Sequence, residues 1–207
     1  MLICCADIRG LDASRARLSG RKNTAGSAFA RSLLLFAAGE YWGLGRLPEV
    51  AYSPSGKPYF PEEPGKYFSL SHTLTHVLAA VADVPVGADI ETARPKGGGF
   101  WERLMDEEER RDFRPFELWC LRESCYKLLD GGSLRSRRFR RGAAGIIAPE
   151  AGVLCRSYGP VQGCFAAACA LGEEPPEEPA APLRQEQAAS ESKIARNRRK
   201  KREKKAE

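Results

Sequence analysis

Asp89 and Glu91 stand two residues apart in the run Val86-Gly87-Ala88-Asp89-Ile90-Glu91. On a strand that spacing projects both carboxylates from one face, about 7 Å apart. Like charges that close call for a cation between them, and hard oxygen donors with no thiolate among them select Mg²⁺ over zinc. Some thirty residues on, Trp119, Glu123 and Lys127 recur at i, i+4 and i+8, which on a helix is one stripe. Ser71 and His72 precede the carboxylate pair, and Lys57 is held further upstream between Gly56 and Pro58. Phosphoryl transfer demands charge neutralisation around a phosphoanhydride, in-line positioning and a proton acceptor for the attacking hydroxyl. Three carboxylates, a lysine and a histidine supply that set. Taken singly, each residue is ordinary: Glu123 and Lys127 alone would be an exposed ion pair worth about 0.3–0.5 kcal/mol. Their joint occurrence carries the reading.

The elements that must position them follow from the apolar pattern. Val77–Ala82 is a run of strand length, and Val86–Glu91 is a second strand entered through the turn Asp83-Val84-Pro85. Leu2–Ile8 reads as an opening strand, followed by the basic segment Arg15–Lys22. Ala28–Tyr41 has helical spacing, with Arg31 on the edge of its apolar stripe and Gly43 and Gly45 as its stop. Pro115 opens a helix over Phe116–Asp130 that Gly131 and Gly132 close. Trp101–Phe113 reads as a solvated connecting helix, and Arg135–Arg141, with five arginines around Phe139, as an exposed loop facing anions. Gly152–Ser157 and Gly163–Leu171 form a final pair of strands, the second echoing Val77–Ala82 in texture. The glycine seam Pro95–Gly99 divides the chain into an N-terminal half, 1–94, and a C-terminal half, 95–172. Residues 173–207 make a Pro/Glu linker and a basic tail with the composition of disorder.

At 207 residues, 43% of them hydrophobic, the chain can fill one compact domain or two small halves. Its net charge of +6 belongs to the tail: residues 184–207 hold ten Lys or Arg against four Glu, so residues 1–183 sum to zero. The seven cysteines are odd in number and scattered without a CxxC pair, which reads as free thiols in a reducing compartment. With no run of eighteen apolar residues and no signal peptide, the expected location is the cytoplasm, away from membranes.

These residues resemble a 4′-phosphopantetheinyl transferase of the Sfp type. One signature element is Ser-His followed by a strand and Val-Gly-x-Asp-x-Glu, here Ser71-His72 and Val86–Glu91. The other is Trp-x-x-Lys-Glu-Ser/Ala ending in a lysine, here Trp119, Arg122, Glu123, Ser124 and Lys127. The resemblance covers roughly residues 1–171. It implies an α+β fold of two similar halves related by a pseudo-twofold, with the site in the cleft between them. It implies transfer of the 4′-phosphopantetheine arm of coenzyme A to a serine of an apo acyl, peptidyl or polyketide carrier protein by a monomeric enzyme, releasing 3′,5′-ADP. By the same resemblance Asp89, Glu91 and Glu123 would bind Mg²⁺, and Glu123 would take the serine proton. Lys127 would neutralise the pyrophosphate. Ser71 and His72 would meet a phosphate oxygen, while Lys57 and Arg31 would hold the 3′-phosphate or adenine end. Arg122 departs from the family's lysine: if that position touches a phosphate, the planar guanidinium would lower activity. Competing readings are a catalytically weak coenzyme A-binding relative and a nucleic-acid-binding protein using the basic tail. The body has no aromatic RNA-binding strand or zinc motif to support the latter.

Overall fold

The computed structural model describes residues 1–11, 25–97, 99–161 and 163–180. The basic segment Arg15–Lys22 and the basic tail lie outside the described residues. Strand β1 (Leu2–Asp7) leads to helix α1 (Ala25–Trp42), a short hairpin β2 (Ala51–Tyr52) and β3 (Pro58–Tyr59), and strands β4 (Tyr67–His72), β5 (His76–Ala82) and β6 (Val86–Thr92). Helices α2 (Phe100–Leu104), α3 (Glu107–Asp112) and α4 (Pro115–Leu129) follow, then β7 (Arg140–Gly142), β8 (Gly145–Ile147), β9 (Val153–Val161) and β10 (Cys164–Leu171).

The strands form an antiparallel three-stranded sheet ordered β1-β5-β4, a five-stranded sheet ordered β6-β10-β9-β8-β7, and the β2-β3 hairpin. The mixed α/β architecture follows from strand periodicity. Every residue of β5 is buried, because Val77, Ala79 and Val81 pack under α1 while Leu78, Ala80 and Ala82 face the second sheet. β10 divides the same way: Phe165, Ala167 and Cys169 lie under α4, and Ala166, Ala168 and Ala170 meet the first sheet. Alanine at so many of these positions lets the layers approach closely, giving the order helix, sheet, sheet, helix.

At one side the two sheets join edge to edge through side chains. The Ser69 hydroxyl takes the Ala88 amide at 2.9 Å and donates to the Ala88 carbonyl at 3.4 Å, so β4 is tied to β6 without a ladder between them. β6 itself pairs with β10, Asp89 opposite Ala167 and Glu91 opposite Phe165. The change of sheet therefore falls at the β5–β6 turn, ahead of the boundary expected at residue 95.

Three further expectations are corrected. Trp101–Phe113 is two short helices, and Glu109 is fully buried rather than solvated. The arginines of 135–141 are largely consumed internally: Arg137 pairs with Glu150, Arg138 with Glu109, Arg140 with Asp106 and Glu108, and Arg141 with Glu117. Residues 173–180 are a docked strap, not a free linker. The Ala180 amide donates to the Ile3 carbonyl at 2.7 Å, Cys5 donates to the Ala180 carbonyl at 3.1 Å, and Tyr158 donates its hydroxyl proton to the Pro176 carbonyl. Within the strap, Pro175 is fully buried. Proline and glutamate disguised the strap, because its stabilising bonds come from the edge of β1, far away in sequence.

Candidate active site

The pleat of β6 sends Val86, Ala88 and Ile90 into the core between the sheets and leaves Gly87, Asp89 and Glu91 on the side of α4. Gly87 sets how closely the helix comes. A Cβ there would stand 2.0 Å from the Ser124 carbonyl oxygen and 2.4 Å from the Leu128 nitrogen, so only glycine lets α4 rest on β6. Ser124 supports the same contact, donating to the Ala167 carbonyl at 2.9 Å. The helix starts with Pro115 in its first turn and presents Trp119, Glu123 and Lys127 along one stripe, as their spacing predicts.

Lys127 reaches across to β6. Its ammonium donates to Asp89 Oδ1 at 2.7 Å and to the Ala88 carbonyl at 3.1 Å, with the Leu70 carbonyl at 3.4 Å. Ser71 donates to the same Asp89 oxygen at 2.7 Å. Asp89 Oδ2 is buried with no hydrogen-bond partner among the described residues. Glu91 pairs only loosely with Arg94, at 3.7 Å, and Glu123 makes no hydrogen bond or ion pair among the described residues. Burial first, and then the charge of Asp89, pushes both the Glu91 and the Glu123 carboxyls above the usual range. The three side chains do not converge as a ready-made ion cage among the described residues, and Lys127 occupies Asp89 Oδ1. Their chemistry nevertheless fits a hard divalent cation: all donors are oxygen, one of them is buried and unpartnered, and two carry raised pKa values that a cation would relieve.

Beside this node lies a cleft of about 250 Å³ lined by Lys57, Lys127, Ser69, Tyr126 and Asp130 among others. Lys57 donates to the Leu128 carbonyl at 3.0 Å, capping the negative end of α4. Burial pushes its ammonium pKa down, against the pull of Asp130. Asp130 adopts the left-handed conformation, φ +56°, that ends α4. Its carboxylate takes the hydroxyls of Ser53 and Ser55, so the lysine loop is latched to the helix end. This latch was missed from sequence, where Asp130 reads only as the last residue of a helix.

His72 points the other way from Ser71, as neighbours on a strand must. Its ring lies against the start of α1: a Cβ on Gly26 would stand 2.6 Å from His72 Nδ1, and Ser27 Oγ is 3.5 Å from Nε2. Arg31 is one helical turn beyond Ser27. The structure thus gathers Ser71, Asp89, Glu91, Glu123, Lys127 and Lys57 between β4, β6 and α4, and places His72 and Arg31 on the α1 side of β4. Arg122 is fully buried, with both Glu109 oxygens at 2.8 Å, the Leu104 carbonyl at 2.8 Å and the Arg137 carbonyl at 3.0 Å. It faces away from the cleft, so its difference from lysine alters a structural contact and not the site.

Residues 85–166 match the family model described as the 4′-phosphopantetheinyl transferase superfamily. That segment contains Asp89, Glu91, Glu123 and Lys127. Over that segment the chain is similar to this superfamily. Among curated proteins, the chain is similar to the 4′-phosphopantetheinyl transferase psf-1 of Bacillus pumilus, 32% identical over 112 residues, covering 46% of this chain and 48% of the relative. It is 28% identical to the transferase Sfp of Bacillus subtilis over 142 residues, 59% of this chain and 63% of the relative. It is 39% identical to the transferase AcpT of Escherichia coli K12 over 59 residues, 28% and 30% of the two chains. The chain therefore spans about half to three-fifths of the length of these two Bacillus relatives. Among the described residues no helix is long and apolar enough to cross a membrane.

Proposed function

We propose that this protein transfers the 4′-phosphopantetheine group of coenzyme A to a serine of an apo acyl or peptidyl carrier protein, releasing 3′,5′-ADP, and that it does so in the cytoplasm as a monomer. The observation that carries the reading is the joining of Asp89, Ser71 and Lys127 by hydrogen bonds beside the unpartnered Glu123 at the edge of the Lys57 cleft. The serine oxygen attacks the β-phosphorus of coenzyme A, the bond from that phosphorus to the oxygen bridging it to 3′,5′-ADP breaks, and the serine proton passes to Glu123.

Mg²⁺ would be held by Asp89, Glu91 and Glu123 and would supply charge neutralisation for the pyrophosphate. The chain's own residues do the rest. Glu123, which makes no hydrogen bond or ion pair among the described residues, is available to accept the serine proton directly or through a water. Lys127, fixed by three oxygens, is a preorganised positive charge that needs no reorganisation as negative charge shifts to the leaving group. Lys57 holds the donor's phosphate or adenine end at the cleft, while His72 and Arg31 stand on the α1 side of β4, where they would meet a part of the donor that extends past the strand.

The test is intact-mass measurement of a panel of apo carrier proteins after incubation with the full chain, coenzyme A and Mg²⁺. The expected result is a gain of one phosphopantetheine that EDTA abolishes and that Glu123→Gln prevents while coenzyme A still binds. No gain on any carrier overturns the proposal.

A further inference from the structure

Lys96, in the loop between β6 and α2, has a cationic head that nothing in the reaction above uses. Its ammonium stands 5.5 Å from the centroid of Phe100 and 5.8 Å from that of Trp119, and among the described residues it makes no hydrogen bond or ion pair. Ring faces hold a cation without satisfying its N–H donors, so all three donors remain available. Its charge also acts on the Glu91 carboxyl.

Trp119 opens the stripe that continues to Glu123 and Lys127. Trp119, over which Lys96 rests, and Lys127 are about 12 Å apart along α4 at 1.5 Å per residue, so the two lysines flank the carboxylates from opposite ends. The two ammoniums differ in what they have left to offer. Lys127 is spent on Asp89 and two carbonyls, and it borders the cleft that holds Lys57. Lys96 is at the far end, beside the 60% exposed side chain of Arg94. In-line displacement brings donor and acceptor to opposite sides of the phosphorus. With the donor in the Lys57 cleft, the acceptor hydroxyl arrives from the Lys96 end.

We infer that Lys96 is a specificity-determining residue for the acceptor, its ammonium pairing with an acidic side chain next to the serine that is modified, with Phe100 and Trp119 holding it in place beforehand. This rests on the proposed transfer reaction. The role is one of docking, because Lys96 touches the acceptor protein and not the reacting atoms.

The experiment measures the KM for an acidic apo carrier protein at several salt concentrations, together with coenzyme A affinity by direct titration, for the full chain and its Lys96→Met and Lys96→Arg variants. Lys96→Met is expected to raise the carrier KM about five-fold, the scale of one charge pair at an interface rim. It should flatten the salt dependence and leave coenzyme A affinity within about two-fold, and Lys96→Arg should stay near the parent. Reversing the acidic residue on the carrier should cost activity that Lys96→Glu restores. A carrier KM unmoved by Lys96→Met in an active enzyme overturns the inference alone, as does a parallel loss of coenzyme A affinity, which would assign Lys96 to the donor. A parent chain that modifies no carrier overturns the proposed reaction and this inference with it.

Discussion

Asp89 Oδ1 accepts hydrogen bonds from β4 through Ser71 and from α4 through Lys127, while its other oxygen is buried without a partner. The carboxylate is thus held rigidly by one oxygen and offers the other. Glu123 is the complement, a carboxylate without a hydrogen bond or ion pair among the described residues and raised in pKa by burial. Glu123→Gln keeps its size and removes the proton acceptor; kcat is expected to fall by about 10²–10⁴ with coenzyme A affinity retained. A kcat within a few-fold of the parent would show that the proton goes elsewhere. Lys57 gives a pH signature. Because burial lowers its pKa, its charge is present below that lowered value and is lost as pH rises through it, earlier than for an ordinary lysine. Coenzyme A affinity should accordingly weaken with rising alkaline pH in the parent and be flatter in Lys57→Met; parallel profiles would exclude this lysine from donor binding. The placement of these side chains was legible in the sequence, since Asp89-x-Glu91 and the Glu123–Lys127 spacing each imply a shared face. What was not legible is pairing across distance: that Asp130 would latch Ser53 and Ser55, or that Lys96 would rest on two rings, depends on contacts tens of residues apart.

At the level of elements, α4 is fixed from two sides. Its inner face rests on β6 at Gly87, where any Cβ meets backbone atoms that cannot rotate away. Gly87→Ala should force helix and strand apart, costing about 1–3 kcal/mol of stability and more in activity than stability alone accounts for, since Lys127 and Glu123 would shift from Asp89. Unfolding curves and kcat measured on the same variant test this, and parental values for both would contradict it. The other side is held by the buried Arg122–Glu109 pair, which ties α4 to α3 and to the backbone at Leu104 and Arg137. Removing one partner strands a buried charge, so Glu109→Ala is expected to cost about 3–5 kcal/mol, whereas Arg122→Met combined with Glu109→Leu should recover much of that loss. Chemical denaturation of the single and double variants decides it; a double variant no better than the single would mean the pair is individually favourable. Helices α1 and α4 and strands β1, β5, β6, β9 and β10 followed from periodicity, whereas β2, β3, β4, β7 and β8 did not, four of them being only two or three residues long. The misreading of Trp101–Phe113 as solvated had a physical origin: a sequence rich in Glu and Arg looks exposed unless one knows that Arg122 waits in the core.

Across the whole molecule the strap 173–180 closes the edge of β1 and covers the junction of the sheets through Pro175 and Tyr158. A chain ending at residue 172 should lose about 2–4 kcal/mol from two backbone hydrogen bonds and the burial under the strap, seen as a lower melting temperature. An unchanged melting temperature would show the strap to be passive. The topology also sets an order of assembly. The three strands of the first sheet and its covering helix are complete by Ala82, but β6 has its ladder partner only in β10, beginning at Cys164. During synthesis the first sheet can therefore close on its own, while the strand carrying Asp89 and Glu91 stays without a ladder until most of the chain has been made. Asp89 and Glu91 therefore belong to the last part of the molecule to mature, and a ribosome-bound intermediate would be folded in its first half before the strand that carries them has a ladder.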